Sequence, residues 1–202
     1  MSLTHSTPKY LPGRLISVTL TTPPVNTALL ATAKEHVAAE TTDSDTLLQR
    51  YIDAAVRYVE KAARTSLFDQ AHTLVLDSFP EEDYIQLYGK PIKSVTTFTT
   101  YSTADVADTT FNKYTLDIPG SRILLKYGYA WPSSLRDNSA VHILYASGHG
   151  TTVAALPPNL VQAVMLLVGT WFANRESTSC TVTPELVMGV SDIIGQAREL
   201  RI

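Results

Sequence analysis

PPNLVQAVMLLVGTWFANRE, running from Pro157 to Glu176, is the stretch on which the fold turns. Pro158 fits the first helical turn, where a missing N–H costs nothing. From Val161 to Phe172 the segment is apolar almost all round, and it stops at Asn174-Arg175-Glu176. A helix that is apolar on every side has to be covered on every side. It is too short to span a bilayer, which takes about 20 apolar residues. Burying Met165, Leu166, Leu167, Val168, Trp171 and Phe172 is worth roughly 9–18 kcal/mol, comparable to the stability of a whole domain. The segment is therefore a central core helix or the seam of an oligomer. Met165, Leu167, Trp171 and Phe172 are the candidate seam residues.

Upstream, two helices are expected. Leu29, Leu30, Ala33 and Val37 share a face over residues 27–39, with Asn26 or Thr27 as cap. Thr42-Asp43-Ser44-Asp45 then offers capping oxygens, and negative charge, to a second helix. Leu48, Tyr51, Ile52, Ala55, Val59 and Ala62 form its apolar stripe; Gln49, Arg50, Asp53, Arg57, Glu60 and Lys61 form its polar face. It ends near Thr65.

Between these helices and the long apolar one the period changes. His72–Phe79, Tyr84–Tyr88, Ile92–Tyr101, Phe111–Ile118, Arg122–Tyr127 and Val141–Ala146 are short and rich in β-branched or aromatic residues. Turn signals such as Gly89-Lys90-Pro91 and Pro119-Gly120 separate them. Six strands without intervening helices predict an antiparallel sheet or small sandwich. A last helix is expected over Pro184–Leu200.

The fold class is therefore α+β: a helical core (27–68 and 155–202), an inserted β domain (69–154) and an N-terminal arm (1–26). Arg14–Thr21 alternates like a strand, and the segment is either an extended arm that adds a strand to a neighbour's sheet or a frayed terminus.

Composition narrows the function. The 202 residues carry 16 Lys plus Arg against 19 Asp plus Glu, a net charge of −3. Gripping nucleic acid by its phosphates calls for a basic face instead. The single cysteine, Cys180, forms no internal disulfide. Met1–Gly13 lacks the apolar run of a signal peptide, and no membrane-spanning stretch follows, so a soluble protein is expected.

No catalytic motif emerges. His36, His72, His142 and His149 fall in different elements, His5 lies in the tail, and none has ligand spacing. His149, between Gly148 and Gly150, reads as a turn filler rather than a base. Cys180 has no basic neighbour to activate it. Asp43 with Asp45 reads as helix capping, and Glu81-Glu82-Asp83 as a solvated turn, rather than as calcium loops. No cofactor, metal or catalytic residue is expected. Tyr84, Tyr88, Tyr101, Tyr114, Tyr127, Tyr129, Trp131 and Tyr145 crowd the β region at a density that suits protein contacts or a small sandwich core.

Several fragments resemble the head–tail connector (adaptor, or head-completion) proteins of tailed bacteriophages. Leu30-Ala31-x-Ala33-Lys34-x-His36-Val37 resembles the first helix of that family. Asp43-x-Asp45-x-Leu47-Leu48 with Ala54-Ala55-x-x-Tyr58-Val59-Glu60 resembles the second. Leu87-x-Gly89-Lys90-Pro91-Ile92-x-Ser94-Val95 is similar to its strand–turn–strand step. Tyr145-x-x-Gly148-x-Gly150, Pro157-Pro158, Gln162-Ala163 and Trp171-Phe172-x-Asn174-Arg175-Glu176 are similar to its closing half. Residues 1–26 have no counterpart.

The resemblance implies a non-enzymatic homo-oligomer, a dodecameric ring beneath the portal protein in the virion neck, made in the host cytoplasm. The ring would extend the channel for double-stranded DNA and dock a stopper or tail-completion protein. Portal contact would fall on the C-terminal segment, with Leu186, Ile193, Ile194, Arg198 and Arg201 as candidates. A mildly acidic chain suits a channel through which DNA slides without sequence-specific binding. A tail-completion or tail-terminator ring is the structural alternative, and a small hydrolase using His149 or Cys180 the enzymatic one.

Overall fold

A computed structural model of the chain describes residues 15–22, 26–174 and 184–197. It contains β1 (Leu15–Thr22), α1 (Leu29–His36), α2 (Asp45–Ala63), β2 (Gln70–Leu76), β3 (Tyr84–Gln86), β4 (Ile92–Tyr101), β5 (Ala107–Asp108), β6 (Tyr114–Asp117), β7 (Arg122–Leu125), β8 (Val141–Ser147), α3 (Pro158–Ala173) and α4 (Pro184–Ala197). The expected α+β class, with an antiparallel β insertion among helices, is what forms. The chain divides into two compact units: 23–70, 88–91 and 147–202 form the helical one, while 1–22, 71–87 and 92–146 form the β one.

In the helical unit, α3 packs against α1, α2 and α4. Leu29 and Ala33, then Leu48, Ile52, Val56 and Val59, meet Leu160, Val164, Met165 and Val168, and Val190 and Ile194 join them. Apart from Met165, which follows Val164 directly, the residues of each set recur at three- and four-residue steps, so one face of each helix turns inward. α2 ends where Arg64 takes a left-handed conformation (φ 58°) and the Thr65 N–H bonds the Glu60 carbonyl at 3.1 Å.

Both N-termini depart from expectation. α1 starts at Leu29 and stops at His36, shorter than 27–39, and neither helix start has a side-chain cap hydrogen bond. The Asn26 carbonyl receives the Leu29 N–H, while its side chain reaches Asp53 instead. Asp45 pairs with Lys34 at 2.8 Å.

The β unit holds a five-stranded sheet, β1-β2-β8-β4-β5, and a three-stranded one, β3-β7-β6. Leu74, Phe98, Ile143 and Tyr145 of the first share a core with Ile85 and Ile123 of the second. β8 alternates cleanly: Val141, Ile143, Tyr145 and Ser147 are buried, and the residues between them are half-buried. All six expected strands form: β4 has the expected bounds, β3, β6 and β7 are shorter, β2 is shifted to Gln70–Leu76, β8 extends to Ser147, and the two-residue β5 is an addition. Part of the expected N-terminal arm is already engaged. Residues 15–22 run antiparallel to β2 of the same chain, with Val18 opposite Leu74 and Leu20 opposite His72. Residues 1–14 lie outside the described ones.

Candidate docking surfaces

Two of the fragments that carry the connector resemblance, at Gly89-Lys90-Pro91 and Gly148-x-Gly150, meet the chain that leaves α2 in the helical unit. The Ser66 N–H donates to the Lys90 carbonyl (2.7 Å) and the Ser66 hydroxyl to the Gly89 carbonyl (3.1 Å). Thr65 Oγ1 also donates to Lys90 O at 2.7 Å. The Gly148 N–H donates to Pro91 O (2.9 Å), the His149 N–H to Leu67 O (3.0 Å), and the Asp69 N–H to Gly150 O (3.0 Å). The Ser147 hydroxyl donates to Ser66 Oγ at 2.9 Å. Three distant segments, 65–69, 89–91 and 147–150, are thus clasped by backbone bonds. Gly148 sits at φ +130°, and a Cβ there would press on the Phe68 carbonyl group. Gly148 serves backbone geometry, and at Gly150 a Cβ would stand 2.6 Å from Ala155 Cβ.

Glu60 closes one side of this clasp. Its Oε1 accepts the Leu67 N–H at 2.7 Å and Gln70 Nε2 at 3.0 Å. Burial dominates its environment and pushes the carboxyl up from 4.5 to about 7, against the lowering pull of those two bonds and of Arg57. The sequence places Glu60 on the polar face of an amphipathic helix, and nothing local signals that residues 67–70 fold back over it.

On the candidate seam, Met165 is 2% exposed and enclosed by the chain's own core. Leu167, Trp171 and Phe172 are only half-buried and pack on the rim of that core. Trp171 meets the Tyr51 ring edge-on at 6.3 Å. The apolar surface that α3 still offers therefore lies at Leu167, Trp171 and Phe172, without Met165. On α4, Ile194 is likewise a core residue and Ile193 is half-buried. Arg198 and Arg201 lie outside the described residues, as do Cys180 and the side chain of Leu186.

The aromatic residues of the β unit separate into two sets. Phe79 and Trp131 stack at 4.7 Å and 6°, Phe98 stacks with Tyr114 at 5.1 Å, and Tyr145 is fully buried. Tyr84, Tyr127 and Tyr129 face outward instead. Arg122 lies over the Tyr84 ring at 5.6 Å and Lys113 over Tyr129 at 5.1 Å. Tyr127, at the turn after β7, is fully exposed, and the next residue, Gly128, has φ +81°. Arg122 also donates to Asp117 Oδ2 at 2.8 Å, and this bond holds the Asp117 carboxyl below its usual range. Exposed aromatics backed by cations suit a protein partner better than they suit solvent.

An open groove of about 480 Å³ in the helical unit is lined by Thr32, Glu35, His36, Val161, Gln162 and Met165, among others. Among the described residues no group of three or more His, Cys, Asp or Glu side chains is placed to hold a metal ion, and no helix is long and apolar enough to cross a membrane.

Comparison with solved structures places this architecture. A chain in the neck of an empty GTA particle, computed with C6 symmetry, is 25% identical with a TM-score of 0.79, over 93% of this chain and 97% of that one. This chain has the fold of a particle-neck protein. A chain in the neck of a native GTA particle, computed with C12 symmetry, is 25% identical with a TM-score of 0.76, at the same coverage. Another, in the virion of a native gene transfer agent particle, is 24% identical with a TM-score of 0.78, again over 93% of this chain and 97% of that one. The resemblance to head–tail connector proteins is thereby borne out, and the neck fold accounts for the chain nearly end to end. No family model and no curated protein sequence matches the chain.

Proposed function

We propose that this protein is a structural adaptor of a phage-type particle neck. It forms a ring beneath the portal, extends the DNA channel and presents a docking face to a stopper or tail protein. The observation that carries this reading is the fold shared over 93% of the chain with a protein from a particle neck. Neck reconstructions with C6 and C12 symmetry support a ring of copies, and a dodecamer is the size proposed.

The half-buried rim of α3, at Leu167, Trp171 and Phe172, is the proposed seam between copies. The C-terminal segment, with Leu186, Ile193, Arg198 and Arg201, is the proposed portal contact; Ile194 serves the core instead. The outward tyrosines Tyr84, Tyr127 and Tyr129 are the proposed tail-side face. DNA passes through without sequence-specific contact, and the reading includes no catalytic step.

Negative-stain microscopy of the purified protein mixed with its cognate portal tests this. A second ring stacked on the narrow end of the portal is expected. Bare portals, with this protein instead capping tail tubes, would replace the adaptor with a tail-terminator.

A further inference from the structure

β4 carries the least protected edge of the β unit. β5 covers its outer side only at Thr100 and Tyr101. The Tyr101 N–H donates to Ala140 O on the β8 side, and the Ser102 N–H donates to Val106 O on the β5 side. At the other end the Pro91 carbonyl, odd-numbered like Tyr101, turns to the chain that leaves β8 and accepts the Gly148 N–H at 2.9 Å. Backbone groups alternate between the two sides of a strand, so those of Ser94 and Thr96 point outward, past the reach of β5. Both residues are exposed, and among the described residues no strand or backbone bond meets them on that side. The run Ser94-Val95-Thr96-Thr97-Phe98-Thr99 holds no charge, proline or glycine. Folded chains rarely leave such an edge unprotected. The other outer strands of the unit are protected: β1 is broken by two register shifts, β3 follows Glu81-Glu82-Asp83, β5 ends on Asp108 and β6 on Asp117. An open backbone edge selects its partner by geometry, because an extended chain is what satisfies its donors and acceptors together.

We propose that residues 2–7 of a second copy add a strand to β4 at Ser94 and Thr96. The segment, Ser2-Leu3-Thr4-His5-Ser6-Thr7, matches the edge in length and chemistry. It holds no proline, glycine, Asp, Glu, Lys or Arg, and Pro8, which cannot donate to a ladder, ends it. Ser2, Thr4 and Ser6 form one face, which suits Ser94 and Thr96; Leu3 on the other suits Val95. Residues 8–14 then lead to β1 and span at most about 25 Å. β2 and β8 separate β1 from β4. In its own sheet the segment would have to reach beyond β4, four strand spacings or roughly 19 Å from β1, which leaves little length to pass round the sheet. A donor at one flank and an acceptor at the other link copies head to tail, and such links close into a ring. This inference rests on the ring reading and adds a tie between copies that is independent of the α3 seam.

Cross-linking of the full chain tests it. Heavy- and light-isotope chains, each with Leu3 replaced by photo-reactive benzoylphenylalanine, are mixed while dilute and concentrated together. Irradiation should join the heavy N-terminal segment to light β4, and the reverse, as read by peptide mass. Thr96→Pro removes an N–H that β8 does not use, so circular dichroism should stay native while these cross-links fall about ten-fold or more. Cross-links confined to one isotope, or landing outside β4, overturn the proposal, as does a yield that Thr96→Pro leaves unchanged. Light scattering on the same sample separates the two readings. A ring whose N-terminal segments cross-link elsewhere refutes the added strand alone; single copies without heavy-to-light links refute the ring reading with it.

Discussion

Glu60 Oε1 accepts the backbone N–H of Leu67 across 2.7 Å, so a buried carboxyl holds the chain where it leaves α2. Burial lifts that carboxyl to about 7, and the fold therefore prefers it protonated. Its ordinary value, 4.5, applies to the unfolded chain. Stability is full below that value and falls as pH rises from 4.5 through 7, by up to roughly 3 kcal/mol. Glu60→Gln keeps an oxygen for Leu67 and Gln70 and removes the charge. Urea unfolding at several pH values should show the native chain weakening between about pH 5 and pH 8 while the variant stays nearly level, ahead by about 1–3 kcal/mol at the alkaline end. Parallel curves for the two proteins would remove Glu60 from the account.

Gly148 is irreplaceable for two reasons. Its φ of +130° is disfavoured for any side chain, and a Cβ would stand 2.6 Å from the carbonyl carbon of Phe68 and 2.7 Å from Asp69 Cα. Those atoms cannot retreat cheaply, because Asp69 N–H is bound to Gly150 O. Gly148→Ala should cost roughly 3 kcal/mol or more, read as a fall in denaturation midpoint.

At the proposed seam, Leu167→Arg should separate folding from assembly. The half-buried site lets the arginine stem lie along the helix with its head in water, so circular dichroism should remain native. Burying that charge against a second copy is prohibitive, so sizing chromatography should show monomers in place of the proposed rings. Rings that persist would place the seam elsewhere.

Tyr127 is fully exposed, so Tyr127→Ala should shift stability by no more than about 0.5 kcal/mol. Binding of the proposed tail-side partner, measured by pull-down or calorimetry, should weaken about ten-fold or more. Unchanged binding would show that the tyrosine face is not the docking face.

Much of the architecture was legible because it rests on periodicity. The α2 stripe Leu48, Ile52 and Val59 buries the face that the pattern assigned, and Val141–Ala146 forms the strand that its residue types predict. Local chemistry was less faithful. Asn26 reads as a cap because its oxygen could serve one, but Asp53 is 27 positions away in sequence and claims the side chain. The aromatics were seen as a group and left open between core and surface. Two-residue alternation separates the faces of a strand without saying which face a second sheet covers, so Tyr145 and Tyr127 could not be told apart. Met165 shows the same limit in a helix: all-round apolarity does not reveal which side belongs to the chain itself.

The order in which the helical core is made has a consequence for its biosynthesis. α1 and α2 leave the ribosome first, and their inward residues Leu48, Ile52 and Val56 are covered by Leu160–Val168 of α3. The gap from Ala63 to Pro158 is roughly 95 residues, which translation at about 5–20 residues per second crosses in roughly 5–20 s. For that interval the apolar faces of α1 and α2 have only each other to pack on. That window is when a trigger-factor-like holdase would have its binding site, and it is a delay that the completed fold no longer records.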